Sequence, residues 1–391
     1  PERDRQELAF QTALGASEMS RHGWTSPEGA ESFSRARELC LRVGDERELF
    51  PIMWGFWMVY GARSDRESWH RTARELLEIA QKRGDSALLV QAHHASWGSP
   101  FHGALVSQID HAEQGLAIYD PAEHSALAAQ YGGHDAGVCG HCHKGIALWA
   151  AGYPDRAKAD FLAARELAIQ ISHPGSMLQV HGLGGWLHAF DRNWQAVLDS
   201  QNKALALSTE LGVSLWSGRL YVLRGWARVG LGQVEDGLSD IAQGQEMRTL
   251  RGGFGHATSI AAQAEALVIA GATEEALSVV DEAIPQMQKD DEQLWEANAN
   301  TLKGELLLAQ PIGRQDDAEA CFRDAIDVAR AQAAKMWELR AATSLARLWQ
   351  TQDRTAEARD LLAPLYDWFT EGFDTVDLKI AKALLDELSR P

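Results

Sequence analysis

The stretch GIALWAAGYPDRAKADFLAA, Gly145–Ala164, carries the pattern that decides the fold. Two apolar runs with spacings of three and four, the period of an amphipathic helix, are separated by a short break built on Gly and Pro. The phrase PDRA, ending at Ala157, serves as an anchor. It returns as NWQA at Ala196, VEDG at Gly237, TEEA at Ala276, QDDA at Ala318 and TAEA at Ala358, at intervals of 39, 41, 39, 42 and 40 residues. Twelve positions before the anchor stands a small residue: Gly145, Gly184, Gly225, Ala264 and Ala346, with the Ala318 repeat as the exception. Four positions after it stands a bulky one in most repeats: Phe161, Ile241, Val280, Phe322 and Leu362. Small residues let two helices approach and large ones fill the space between repeats, so Gly145, Gly184 and Gly225 are expected at close crossings.

Working outward, no Val/Ile/Thr run alternates as a strand would. A helix pair repeated about every 40 residues is the tetratricopeptide pattern, lengthened from about 34. Before Ala157 it is less regular. ARELC (Ala36–Cys40) and ARELL (Ala73–Leu77) are followed by HAEQGLAI around Ala112, and then by an insertion, DPAEHSALAAQYGGHD (Asp120–Asp135). The expectation is an all-α, right-handed superhelical solenoid of about nine tetratricopeptide-type helix pairs. It forms one domain over 1–391, less regular in 1–135 and regular in 136–375. Residues 376–389 (LKIAKALLDELS and its lead-in) form a polar capping helix, since solenoid ends need one.

Composition excludes several functions. Arg and Lys total 37 against 55 Asp and Glu, a formal charge of −18, which repels phosphate backbones and anionic lipid and argues against nucleic-acid or membrane partners. No run of about 18 apolar residues occurs, so no membrane span is expected. The opening PERDRQELAF has no apolar signal region, which with four scattered cysteines indicates a cytoplasmic chain without a disulfide framework. It has no initiating Met, from which we expect a segment of a longer polypeptide. Among catalytic motifs, G-x-S-x-G, H-E-x-x-H, G-x-G-x-x-G and the P-loop are all missing, and no catalytic residue is assigned.

Twelve of the 14 histidines lie between His70 and His188. With the anchor as position 20, the concave face of the first helix takes positions 2, 5, 9, 12 and 13. That assigns Cys139, Cys142 and Trp149 to the groove in one repeat and His181, Gly185 and His188 in the next, with His94 and Trp97 before them and Trp226 after. Cys139, Cys142 and His143 stand at i, i+3 and i+4 on one helix, and His181 would join them from the next. Thiolate plus imidazole suits Zn²⁺ or copper. The reading that needs no metal, buried thiols and a hydrogen-bonding wall, is favoured because a single Cys-x-x-Cys lacks a second pair at zinc spacing. The string Cys139-Gly-His-Cys142-His143 also matches a haem-attachment pattern, but covalent haem needs export, and no cofactor is assigned. His22, His70, His111, His124 and His256 are read as surface or packing. Most of the 14 tryptophans are read as core.

Three phrases, ELFPIMWGFWMVY (Glu48–Tyr60), YGGHDAGVC (Tyr131–Cys139) and ALWAAGYPDRA (Ala147–Ala157), and above all the segment Ala341–Leu388, resemble the C-terminal tetratricopeptide-like region of large bacterial signalling ATPases and class III adenylate cyclases. GHCHKG (Gly140–Gly145) departs from the mainly apolar residues of that family. The resemblance implies a sensor or scaffold module whose effector domain lies elsewhere in a parent chain. Together these readings give a non-enzymatic module that takes a peptide, a protein partner or a small ligand in its concave groove. The alternative is a metal-dependent enzyme or metal sensor.

Overall fold

The computed structural model describes residues 2–22, 26–43, 49–99, 101–213, 216–251, 256–290, 292–310 and 314–390. They are helical throughout, with no strand among them. The chain pairs α1 (Glu2–His22) with α2 (Pro27–Val43), α3 (Leu49–Ala62) with α4 (Arg66–Arg83), and α5 (Ser86–Trp97) with α6 (Leu105–Ile118). The insertion folds as a short α7 (Pro121–His124) and a 3₁₀ turn. Regular pairs then follow: α8 (Ala136–Ala150) with α9 (Pro154–Gln170), α10 (Pro174–Phe190) with α11 (Trp194–Glu210), and α12 (Ser217–Gly230) with α13 (Val234–Arg251). They continue as α14 (His256–Ile269) with α15 (Thr273–Asp290), α16 (Glu296–Leu308) with α17 (Gln315–Ala331), and α18 (Lys335–Thr351) with α19 (Thr355–Asp367). The last helix is α20 (Val376–Leu388). The architecture is a right-handed tetratricopeptide-type solenoid.

The long period has a local cause. Helices α9, α10 and α11 each run 17 residues and are joined by three-residue turns. Each turn contains one left-handed residue, at Gly152, Ser172, Arg192, Gly212 and Gly232, every twentieth position. Glycine adopts that conformation freely; Ser172 and Arg192 hold it against the steric preference of side-chain-bearing residues.

Pairs cross where side chains are absent. A Cβ on Gly225 would stand 2.4 Å from the Gly237 carbonyl, and one on Gly237 would stand 2.6 Å from the Gly225 carbonyl. At Gly145 the neighbour is the Phe161 ring, 2.6 Å from such an atom. The expectation fails at Gly184, where a Cβ would meet Phe161 only at 3.7 Å. The crossing there is Gly185, whose Cβ would lie 1.9 Å from the Gln201 amide nitrogen. In this repeat the packing register is one residue later, and Val197 rather than Ala196 is fully buried.

The superhelix also closes on itself. Trp186 meets Trp295 at 5.5 Å between ring centroids, Trp295 meets Trp337 at 5.1 Å, and Trp149 meets Trp337 at 5.1 Å. Phe101, from the loop after α5, packs on Trp186 at 5.3 Å, and its carbonyl accepts from the Leu294 N–H at 3.0 Å. Outside, the Glu371 carboxylate accepts from the Asp155 and Arg156 N–H groups at the start of α9, where a negative charge suits the helix dipole. The inward-facing side chains of the regular repeats therefore fill the space they enclose.

Candidate functional site

With the inner face filled, the open space lies to one side, between the irregular first pairs and the repeats. A cavity of about 690 Å³ is bounded by α1 and α3, by the glycines of the insertion, by the start of α10 and by the approach to α12. Ala9, Ala13, Ala16, Phe33, Pro51, Met58 and Leu178 give it apolar walls. Among the described residues that line it there is no Asp, Glu, Lys or Arg. Trp54, Met58, His134 and Trp216 also line a small inner chamber of about 60 Å³. That chamber adds His94, Cys139, His143, Gln179 and Arg219.

Each polar group in the chamber is held by its own segment. Asp135 is the N-cap of α8: its carboxylate accepts from the Val138 N–H at 2.9 Å and from the Tyr119 hydroxyl at 2.8 Å, and its own N–H donates to Ser176 Oγ at 2.8 Å. Fixing Asp135 fixes His134 before it and Cys139 and His143 one and two turns after it. Gly132 and Gly133, both left-handed, turn the chain so that His134 enters. His94 comes from α5, stacked on Trp97 at 5.1 Å.

The three groups that converge are His94, His134 and Cys139. Their nearest nitrogen and sulfur atoms all lie within 4.8 Å of one another, and all three residues are buried. His94 Nε2 and His134 Nε2 stand 3.2 Å apart. The opposite nitrogens are committed, His94 Nδ1 to Gln91 Oε1 at 3.1 Å and His134 Nδ1 to the Gly132 carbonyl at 3.0 Å. Burial pushes His134 down to about 4 and His94 and His143 well below the ordinary imidazole value, so the rings are neutral at pH 7. Burial likewise raises the Cys139 thiol to about 12, against a smaller pull from Gln179 and Trp97. The Nδ1 of His143 is buried without a hydrogen-bond partner.

The sequence-based candidates thus divide. His94, Cys139 and His143 share the chamber, with Trp97 behind it. Cys142, Trp149 and Trp226 are fully buried in the central core. Gly185 is the helix crossing. His181 and His188 line a different groove between α9, α10 and α11, beside Lys158, Arg165 and Lys203. Cys142 and His181, expected on one groove, are therefore apart. The one-residue register slip turns His181 and the exposed His188 outward and sends Gln179 and Trp186 inward. Of the histidines read as surface or packing, His70 is exposed, His111 bonds to His93 at 3.1 Å, and His124 is buried, accepting the Asp120 N–H. The side chains of His22 and His256 lie outside the described residues. The sequence reading missed His134, Gln179, Trp216 and Arg219. The signal for His134 was present in Gly-Gly-His-Asp, two turn-forming glycines and a helix N-cap around one histidine.

No family model matches the chain. It is 27% identical over 346 residues to an uncharacterised protein of Rhizobium meliloti (strain 1021), covering 86% of this chain and 33% of that protein. The chain thus spans about a third of that relative. Among solved structures it is similar to a Rap protein complexed with Competence and Sporulation Factor (TM-score 0.53, 12% identity, 87% of this chain and 97% of that one). It is also similar to NprR in complex with its cognate peptide NprX (TM-score 0.47, 16% identity, 72% and 84%). A third similar structure is a STAND signal-transduction ATPase with a tetratricopeptide repeat sensor from Pyrococcus horikoshii (TM-score 0.42, 14% identity, 93% and 55%).

Proposed function

We propose that this tetratricopeptide-type chain, in which no helix among the described residues is long and apolar enough to cross a membrane, is a non-enzymatic recognition module. Its ligand, an uncharged and largely apolar small molecule, enters the lateral cavity rather than the concave face. The observation that carries this reading is the 690 Å³ cavity, whose described lining residues carry no charge, a volume within the usual 300–1,000 Å³ of small-molecule sites. A charged ligand would lose its hydration there without a countercharge. A peptide whose apolar side chains fill the same cavity is the second reading, favoured by the Rap protein having been solved with Competence and Sporulation Factor. As the resemblance to signalling ATPases and cyclases implies, occupancy would be passed to an effector domain of a parent polypeptide.

Nile red, a neutral solvatochromic dye, tests the site. Saturable binding is expected for the folded chain. Ala16→Trp, on a half-buried cavity wall, should abolish it while leaving the melting temperature unchanged. Native mass spectrometry of untagged protein would then identify any copurified ligand. Dye binding that persists unchanged in Ala16→Trp would refute the assignment.

A further inference from the structure

The two histidines of the inner chamber pose a bonding problem. Each ring faces a carbonyl-type oxygen through Nδ1, so a ring carrying a single proton holds it on Nδ1. The Nε2 atoms that face one another at 3.2 Å then both carry lone pairs. Two buried acceptors turned toward each other repel. A cation between them resolves the conflict. A metal-bound histidine typically donates its second N–H to a carbonyl or carboxylate, which fixes the tautomer, and both rings have that arrangement. Two nitrogens about 2.0–2.1 Å from a tetrahedral zinc stand about 3.3 Å apart, close to the separation found here. Cys139 Sγ lies in the same cluster.

We propose that His94 Nε2, His134 Nε2 and Cys139 Sγ form a metal site for a borderline-soft transition ion, Zn²⁺ or Cu⁺, with a fourth position open to the inner chamber. On binding, the Cys139 S–H loses its proton to solvent and the sulfur coordinates as thiolate. The thiolate and the nearby Asp135 carboxylate offset a divalent charge. Arg219 and the unpartnered His143 Nδ1 line the same chamber, so the fourth position suits water or a small anion. The ligand set differs from the one the sequence suggested: Cys142 and His181 take no part, and His134, from the insertion, does.

The rival arrangement needs no metal. Rotating the Gln91 amide by half a turn would let His94 accept at Nδ1 and donate from Nε2 to His134. The two are separated by metal analysis of the full chain purified without a histidine tag, after dialysis against excess zinc and then metal-free buffer. One equivalent of zinc should remain. Cobalt(II) in its place should give the visible bands of a tetrahedral ion and a thiolate-to-cobalt charge-transfer band, both removed by added zinc. Cys139→Ser should abolish the charge-transfer band. It should also weaken zinc binding by more than the roughly 10–100-fold typical of losing an outer-shell partner. His134→Ala should do the same to affinity, and Cys142→Ala should leave one equivalent bound. Copper(I) competition identifies the preferred ion. If a variant fails to fold, the wild-type cobalt spectrum decides alone. No retained zinc or copper, no charge-transfer band, or zinc retained equally by His134→Ala would overturn the site and favour the hydrogen-bonded pair.

Discussion

The closest backbone approach in the regular repeats gives a sharp prediction at Gly225. A methyl group there would sit 2.4 Å from the Gly237 carbonyl oxygen and 2.9 Å from the Ile241 nitrogen. Ordinary contact would require α12 and α13 to separate by ~1 Å locally, a gap that forfeits a quarter to a half of each dispersion contact it opens. The reciprocal approaches at Gly237 and Gly244, 2.6 and 2.5 Å from facing carbonyls, tie the same two helices, so the displacement cannot stay local. Overpacking of this kind costs roughly 1–3 kcal/mol, and replacing a helical glycine by alanine returns up to about 1 kcal/mol. Gly225→Ala should therefore destabilise the α12–α13 pair by about 1–2 kcal/mol. Gly184→Ala, with 3.7 Å to its nearest neighbour, should keep the propensity gain and stabilise by about 0.5–1 kcal/mol. Because stacked repeats need not unfold as one unit, the assay is hydrogen exchange of peptides from α10 to α13 alongside thermal melting. If both substitutions shift protection the same way, the crossing geometry is wrong.

Two further predictions concern a polar network near the C-terminus. Arg340 donates to both Asp377 oxygens at 3.1 and 2.7 Å and to Asn298 Oδ1 at 2.7 Å, largely out of solvent. Removing one partner of a buried pair strands the other, so Asp377→Ala should cost about 3–5 kcal/mol and free α20 in exchange experiments; exchange at wild-type rates would contradict this. Glu265, which accepts from Asn298 at 2.6 Å, has its carboxyl raised by burial against the opposing pull of Arg340. A carboxyl raised in the fold penalises the native state in full above its folded value; the penalty shrinks as pH falls from there to the unfolded value and is gone below it. Glu265→Gln should then melt higher than the wild type at pH 7, with the advantage shrinking toward pH 4; a gap that widens on acidification would reverse the sign.

The fold was legible because packing repeats in sequence. Ala157, Gly237, Ala276, Ala318 and Ala358 mark helices whose buried faces recur every 40 residues, and burial enforces that spacing. Register was legible only where one residue could serve. In GLGGW, Gly184 and Gly185 are adjacent, as are Ala196 and Val197, so a small-residue template fits two frames; Gln201 settles the frame from across the pair. That slip moved His181 and His188 off the inner face. The filling of the inner face was illegible for another reason. Whether Trp149 meets Trp337 depends on superhelical pitch, the sum of small rotations over many repeats, which no local pattern encodes. Half the inner chamber was visible, since Cys139 and His143 share a helix face. His134 was hidden in a segment whose lack of period made it look like a loop.

The same segment couples the two proposals. His134 lines both the lateral cavity and the inner chamber, as do Trp54, Met58 and Trp216. A metal on His134 Nε2 would fix the ring that forms the cavity floor and spare an incoming ligand the cost of ordering it, which tightens binding. Coupling between sites is reciprocal. Saturating zinc should therefore strengthen Nile red binding, within the roughly 5–150-fold typical of such couplings, and Nile red should strengthen zinc binding by the same factor. Ala16→Trp, at a position that is not among the residues lining the inner chamber, should remove the dye's effect and keep the zinc. Calorimetric titration of zinc with and without dye measures both factors. Equal zinc affinity in the two titrations would mean that His134 serves the two spaces independently, and that metal occupancy says nothing to the cavity.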